Sequence, residues 1–218
     1  MKQKTLFVVS AIGLLLAFVA GVLFYNAQQE KAANQLAEAN RAVLVRMHSP
    51  TLGKADAPVV IVEFLDPACE TCRVFYPMVK QMMAAHPDRI RLVLRYAPFH
   101  QGSDKVVAVL EAARRQGKFW PALEALLANQ SDWVQNHTAN VGRTWKHLGN
   151  IGLNMEQMAF DITAPEIASV IAQDLADAKT LKVSKTPEFF VNGRPLPQFG
   201  FEELKALVDR ALVEQRGR

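Results

Sequence analysis

Val59-Val60-Ile61-Val62-Glu63-Phe64-Leu65 runs through Asp66-Pro67-Ala68 into Cys69-Glu70-Thr71-Cys72. The seven-residue run is rich in β-branched side chains and predicts a strand covered on both faces. Asp66-Pro67 predicts a turn, and a helix is expected over residues 69–85. The two cysteines are the whole cysteine content of the chain. A C-x-x-C placed where a strand ends and a helix begins has the spacing of a dithiol redox centre. The first N–H groups of a helix have no partner inside it, and with the helix dipole they favour a thiolate there. With no third cysteine, an internal disulfide joins Cys69 to Cys72 or is not made. Half of a structural zinc site reads the same way, but such a site takes about four ligands. His48, His86, His100, His137 and His147 offer no H-x₃₋₅-H spacing to complete one, so no metal site is assigned.

Outward from this centre, residues 90–96 (Ile-Arg-Leu-Val-Leu-Arg-Tyr) alternate enough to predict a second strand. A helical pattern then extends over residues 103–181. Val106, Val107, Leu110 and Ala113 form one apolar face, and Leu123, Leu126 and Leu127 form another beyond Gly117. Thr163-Ala164-Pro165-Glu166 predicts a capping box with Pro near a helix start. Strand character returns only at residues 188–191. Asn192-Gly193 predicts a tight turn, and residues 202–214 a closing helix. Helices and strands alternating around one sheet define an α/β class.

The 218 residues suffice for one domain with extensions. A net charge of +4, with no long basic run, argues against nucleic-acid binding. The N-terminus is more telling. Met1-Lys2-Gln3-Lys4 is a basic lead, and residues 6–25 carry no charge over the length of one membrane-spanning helix. Lysines before the span predict a cytoplasmic N-terminus and an exported remainder. A cleaved signal peptide is the alternative, with Val19-Ala20-Gly21 as its site, but Val22-Leu23-Phe24-Tyr25 carries the apolar run past it. An uncleaved anchor over residues 1–25 is expected, and either reading exports the domain to a compartment permitting disulfides. Residues 26–48 predict a helical stalk. Leu36 and Val43 lie seven apart, but Asn40 and Arg46 interrupt that stripe, so a plain spacer helix is expected. A turn-rich stretch from residue 49 opens the domain of residues 49–218, with a helical insertion at about residues 100–181.

These features together resemble the thioredoxin fold, and more closely the DsbA-type thiol:disulfide interchange proteins of the bacterial envelope. Glu63 lies six residues before Cys69, where that family carries a buried acid. Pro77 lies five after Cys72, where thioredoxins have a helix-kinking proline. Thr186-Pro187, followed by Glu188-Phe189-Phe190-Val191-Asn192-Gly193, is similar to the family's cis-proline loop, strand and turn. The helical block is similar to the insertion that DsbA-type proteins carry. The resemblance covers about residues 50–215. It departs at the middle dipeptide, Glu-Thr here against Pro-His in strongly oxidising members.

The resemblance implies roles. Cys69 is the expected nucleophile, the exposed sulfur at the helix N-terminus, and Cys72 the more buried resolving thiol. Glu70 should raise the Cys69 pKa, with no histidine or lysine in the turn to offset it, giving a milder oxidant. Glu63, flanked by apolar residues, is expected beneath the dithiol with a raised pKa, able to shuttle the proton of Cys72. Pro187 would present backbone beside the disulfide, and Thr186 would pair with an extended substrate strand. Met78, Met82 and His86 share a helix face and would suit Cu(I), although methionines so spaced are usually core filler. His100, Trp120, Trp133 and Trp145 read as packing or surface residues.

The expected function is envelope thiol:disulfide exchange with the thiols of exported proteins, in the oxidase direction, from the periplasmic face of the inner membrane. Isomerase, reductase and Cu(I)-chaperone functions are the alternatives. No cofactor is implied. Oxidation would need a DsbB-type membrane partner to accept electrons.

Overall fold

The computed structural model describes residues 2–215, with side chains from Phe7 onward except those of residues 10 and 11. Met1 of the basic lead, the side chains of Lys2 and Lys4, and residues 216–218 of the expected domain lie outside the described residues. Helix α1 (Lys2–Leu44) is followed by β1 (Thr51–Leu52), β2 (Val59–Leu65), α2 (Glu70–Ala85) and β3 (Ile90–Tyr96). The helical block holds α3 (Ser103–Arg115), α4 (Phe119–Ala128), α5 (Gln130–Trp133), β4 (Val134–Gln135), β5 (Thr138–Ala139), α6 (Val141–Thr144), α7 (Met155–Asp161) and α8 (Pro165–Thr180). The chain then forms β6 (Glu188–Val191), β7 (Arg194–Pro195) and α9 (Phe201–Glu214).

The main sheet has the order β1-β3-β2-β6-β7. β2 is central, parallel to β3 and antiparallel to β6. Alternation along the strands sorts side chains onto two faces. Val59, Ile61 and Leu65 of β2, with Leu92, Leu94 and Tyr96 of β3 and Phe189 of β6, join the core that includes α2, α3, α4 and α9. Val62, Phe64, Val93 and Phe190 point the other way, onto Leu44 of α1 and Ala178 and Val183 around the end of α8. By the same alternation Glu63 shares the α2 face, and Arg95 shares the α1–α8 face.

Several expectations are corrected. The helical block is not wholly helical: β4 and β5 form a two-residue-long hairpin, too short for any periodic signal. The turn-rich stretch before β2 contains β1, which pairs with β3. The capping box does not form. Ala164 is the N-cap of α8, and the Thr163 hydroxyl donates instead to the Phe160 carbonyl at 3.0 Å.

The stalk is not a free spacer. Leu36 is 49% exposed, while Ala37 and Leu44 are buried, so the seam lies one residue along from the predicted one. Its partner is this chain's own sheet. Asn40, read as an interruption, donates to the Gly193 carbonyl at 3.2 Å, and Arg46 donates to Asp177 at 2.8 and 2.7 Å. From Phe7 to Leu23 the described apolar side chains of α1 stand largely exposed, and α1 is long and apolar enough to cross a membrane.

Candidate functional site

β2 ends at Leu65, and the chain turns through Asp66-Pro67-Ala68 so that Cys69 caps α2. Cys69 has extended backbone angles and no side-chain cap, which leaves first-turn N–H groups facing its sulfur. Both cysteines are free thiols. Cys69 is the more accessible but only 6% exposed, less than the exposed sulfur expected, and Cys72 is fully buried. The Thr186–Pro187 peptide is cis, as expected, and brings the Thr186 carbonyl to the dithiol. The Cys69 thiol donates to it at 3.2 Å. Pro77 lies inside α2.

The two sulfurs are electrostatically unequal. Cys69 is brought down to about 5, chiefly because the Cys72 thiol donates to its sulfur. Burial opposes this, while a hydrogen bond of the Thr186 side chain, distinct from its carbonyl, and the N–H groups of Cys72 and Thr71 reinforce it. Cys72 is pushed well up by burial, then by its bond to Cys69. Glu70 therefore does not set the Cys69 pKa as expected. Its carboxylate lies 3.6 Å from Nδ1 of His137, a histidine brought in from a distant turn.

Glu63 lies in β2 between Leu94 and Phe189, fully buried, and neither carboxylate oxygen has a hydrogen-bond partner. Burial, then the charge on Cys69, raises it to about 8. That matches the buried acid expected there. Of the Cu(I) candidates, Met82 is buried in the core, while Met78 and His86 are half-buried.

Three residues missed in the sequence hold the turn. Asp66 is fully buried. It accepts from the N–H of Ala68 and of His100, both at 2.8 Å, from the His100 ring at 2.7 Å, and from the Ser103 hydroxyl. His100 is thus no idle surface residue. Gln130 of α5 donates to the carbonyls of Pro67 and Cys69 at 2.8 and 3.0 Å. Asp66 next to Pro67 carried a turn signal. Nothing local marked His100 or Gln130, which lie 34 and 61 residues from their partners Asp66 and Cys69.

A dithiol at a helix N-terminus, faced by a cis-proline loop and underlain by a buried acid on a mixed sheet, defines a thioredoxin-fold protein. A family profile described as "Thioredoxin" matches residues 45–210, and the chain belongs to this family. A thioredoxin-like oxidoreductase from Silicibacter pomeroyi DSS-3 is 34% identical, with a TM-score of 0.68 over 78% of this chain and 96% of that one. BdbD from Bacillus subtilis in its oxidised form shares the fold, at 24% identity and a TM-score of 0.67 over 76% and 94% of the two chains. The probable disulfide bond formation protein D of Bacillus cereus is 26% identical over 97% of both chains. The expected resemblance is thus found in relatives named as a thioredoxin-like oxidoreductase and a disulfide bond formation protein. The chain also matches Na(+)/H(+) antiporters NhaA, 30% identical in Herminiimonas arsenicoxydans, and spans 22% of that relative's length.

Proposed function

We propose that this chain is a membrane-tethered thiol:disulfide oxidoreductase that passes its Cys69–Cys72 disulfide to the thiols of exported proteins. The arrangement of Cys69 carries the reading. Its sulfur meets the N-terminus of α2 and the Thr186 carbonyl, while Cys72 is sealed behind it. A substrate thiolate attacks the Cys69 sulfur, the S–S bond breaks, and Cys72 leaves as a thiolate that takes a proton. A second substrate thiolate then attacks the substrate sulfur of the mixed disulfide, and Cys69 leaves. The substrate loses two electrons, and the dithiol gains them. Glu63, buried on the same face as Cys72, exchanges the proton of that thiol. Thr186 and Pro187 present backbone for an extended substrate segment.

The helical insertion supports the oxidase direction. Turnover then needs a membrane redox partner of the DsbB type to accept the two electrons. The exposed apolar part of α1 supports a single-pass inner-membrane anchor, with the dithiol domain in the periplasm.

The test is the reduction potential of the full chain in detergent, equilibrated against glutathione buffers. A value near about −120 mV is expected. A value near about −270 mV would assign a reductase instead. Failure to form the disulfide in any buffer would remove the redox reading altogether.

A further inference from the structure

Beside the dithiol, three side chains from separate elements converge. Glu70 opens α2, His100 lies in the loop after β3, and His137 occupies the turn between β4 and β5. One ligand atom from each lies within 4.8 Å of the others. We propose that Glu70, His100 and His137 bind a divalent transition-metal ion of the zinc type. The site contains no cysteine, so it stands apart from the thiol-exchange reading and goes beyond it.

An exposed acid beside a histidine is commonly an ion pair and nothing more. Asp66 separates this cluster from that case. Its carboxylate occupies the His100 Nδ1 at 2.7 Å, which leaves Nε2 as the ring nitrogen a metal would take. The His100 N–H donates to the same oxygen at 2.8 Å, which fixes ring and backbone together. Asp66 is itself held by the Ala68 N–H and the Ser103 hydroxyl. A buried, fully engaged carboxylate that fixes the orientation of a histidine ring is the recurrent support of a metal-binding imidazole.

The second histidine is also held in place. Asn136 and His137 form a two-residue hairpin turn with positive φ at both positions, 48° and 58°. That hairpin is tied to the His100 loop through the Ala139 N–H, which donates to the Gln101 carbonyl at 2.9 Å. The imidazoles consequently stack, with ring centroids 5.6 Å apart. Two neutral imidazoles and a carboxylate are a donor set that suits Zn²⁺, leaving a fourth position open. Zinc bonds of about 2.0–2.2 Å place neighbouring ligand atoms about 3.3 Å apart. Glu70 and His137, with side chains 49% and 74% exposed, are free to rotate and close that difference.

The experiment is a Zn²⁺ titration by calorimetry of the full chain in detergent, carrying Cys69→Ser and Cys72→Ser so that no thiol contributes. One ion per chain is expected, with affinity falling at least tenfold in Glu70→Gln and in His137→Asn. Asparagine suits the positive φ of that turn, so His137→Asn keeps the hairpin. Co²⁺ substitution provides a second readout, in which visible d–d bands should be lost in His100→Gln. A flat titration would overturn the proposal. So would binding left unchanged by both Glu70→Gln and His137→Asn, which would place the ion elsewhere, for instance at the Asp132–His147 pair. Neither result bears on thiol exchange, because the titrated protein has no thiols.

Discussion

At the scale of single residues, Glu63 sets a pH dependence whose sign is fixed by its burial. The carboxyl sits on the same sheet face as Ile61 and Leu65, with no donor to either oxygen. Burial, with a smaller contribution from the Cys69 charge that the disulfide form lacks, raises its folded pKa to about 8 from an ordinary 4.5. The folded chain therefore keeps a proton that the unfolded chain releases above pH 4.5. Stability falls as pH rises from 4.5 toward 8, and below 4.5 the residue has no effect. At pH 7 the loss reaches at most about 3 kcal/mol. Glu63→Gln should abolish this slope. The measurement is urea unfolding from pH 4 to 8 on the disulfide form, in which neither sulfur titrates. The buried amide adds a constant offset, so the slope is the readout. Wild-type and variant curves that run parallel would show that Glu63 ionises normally in the fold.

At the scale of elements, the docking of α1 turns on one glycine. Gly193 has a φ of +87°, and a Cβ there would collide with the Ala37 carbonyl. Asn40 donates to the Gly193 carbonyl, and Arg194 donates to Asn34 at 2.5 Å. Gly193→Ala should push α1 off the β6–β7 turn while leaving the dithiol, across the sheet, in place. Hydrogen exchange should read this as amides of residues 34–44 opening about tenfold faster, with those of α2 unchanged. Equal rates in both proteins would mean that α1 gives way without cost. Asn192-Gly193 was legible as a turn, yet its use as a landing site for α1 was not, because packing partners leave no local mark. The same division runs through the fold. β2, β3 and β6 were readable to the residue, since short stretches rich in apolar and β-branched residues between turns, broken only by Glu63, Arg91, Arg95 and Glu188, have few other uses. Two-residue strands such as β4 carry no period at all. The dithiol and Thr186-Pro187 were readable because their chemistry is local. Asp66–His100 and Glu70–His137 were not, because only the folded chain brings them together.

At the scale of the whole molecule, the two sheet faces divide the work. One face holds the dithiol, and the other is clamped by a buried charge network joining α1, β3 and α8. Arg95 is fully buried. It donates to Asp174 at 3.0 and 2.8 Å, to Asp177 at 2.5 Å, and to the carbonyls of Val43 and Leu44 at 2.5 and 3.0 Å. Those carbonyls lie at the C-terminal end of α1, where a cation meets both unpaired acceptors and the negative end of the helix dipole. Arg46 and His48, just beyond α1, close the network on Asp177 and Asp174. Burial raises the Asp177 pKa, but the Arg46 and Arg95 hydrogen bonds outweigh it and bring the group to about 2. Its folded pKa lies below the ordinary 3.8, so its contribution is complete above that value and is lost as pH falls toward 2. Arg95→Met keeps the volume but strands Asp174 and the α1 carbonyls without their main donor. A loss of about 3–5 kcal/mol is expected, as for breaking a buried ion pair from one side. Urea unfolding of the full chain in detergent measures it. Hydrogen exchange should show α1 and α8 loosening together, since one guanidinium serves both. If α8 alone loosened, the carbonyl bonds to α1 would be incidental, and the stalk would be held by Leu44 packing and the Gly193 contact alone. A joint response would make the network the element that fixes α1 to the domain carrying the dithiol, so that the position of Cys69 relative to the exposed apolar stretch of α1 is set by side chains on the opposite side of the sheet.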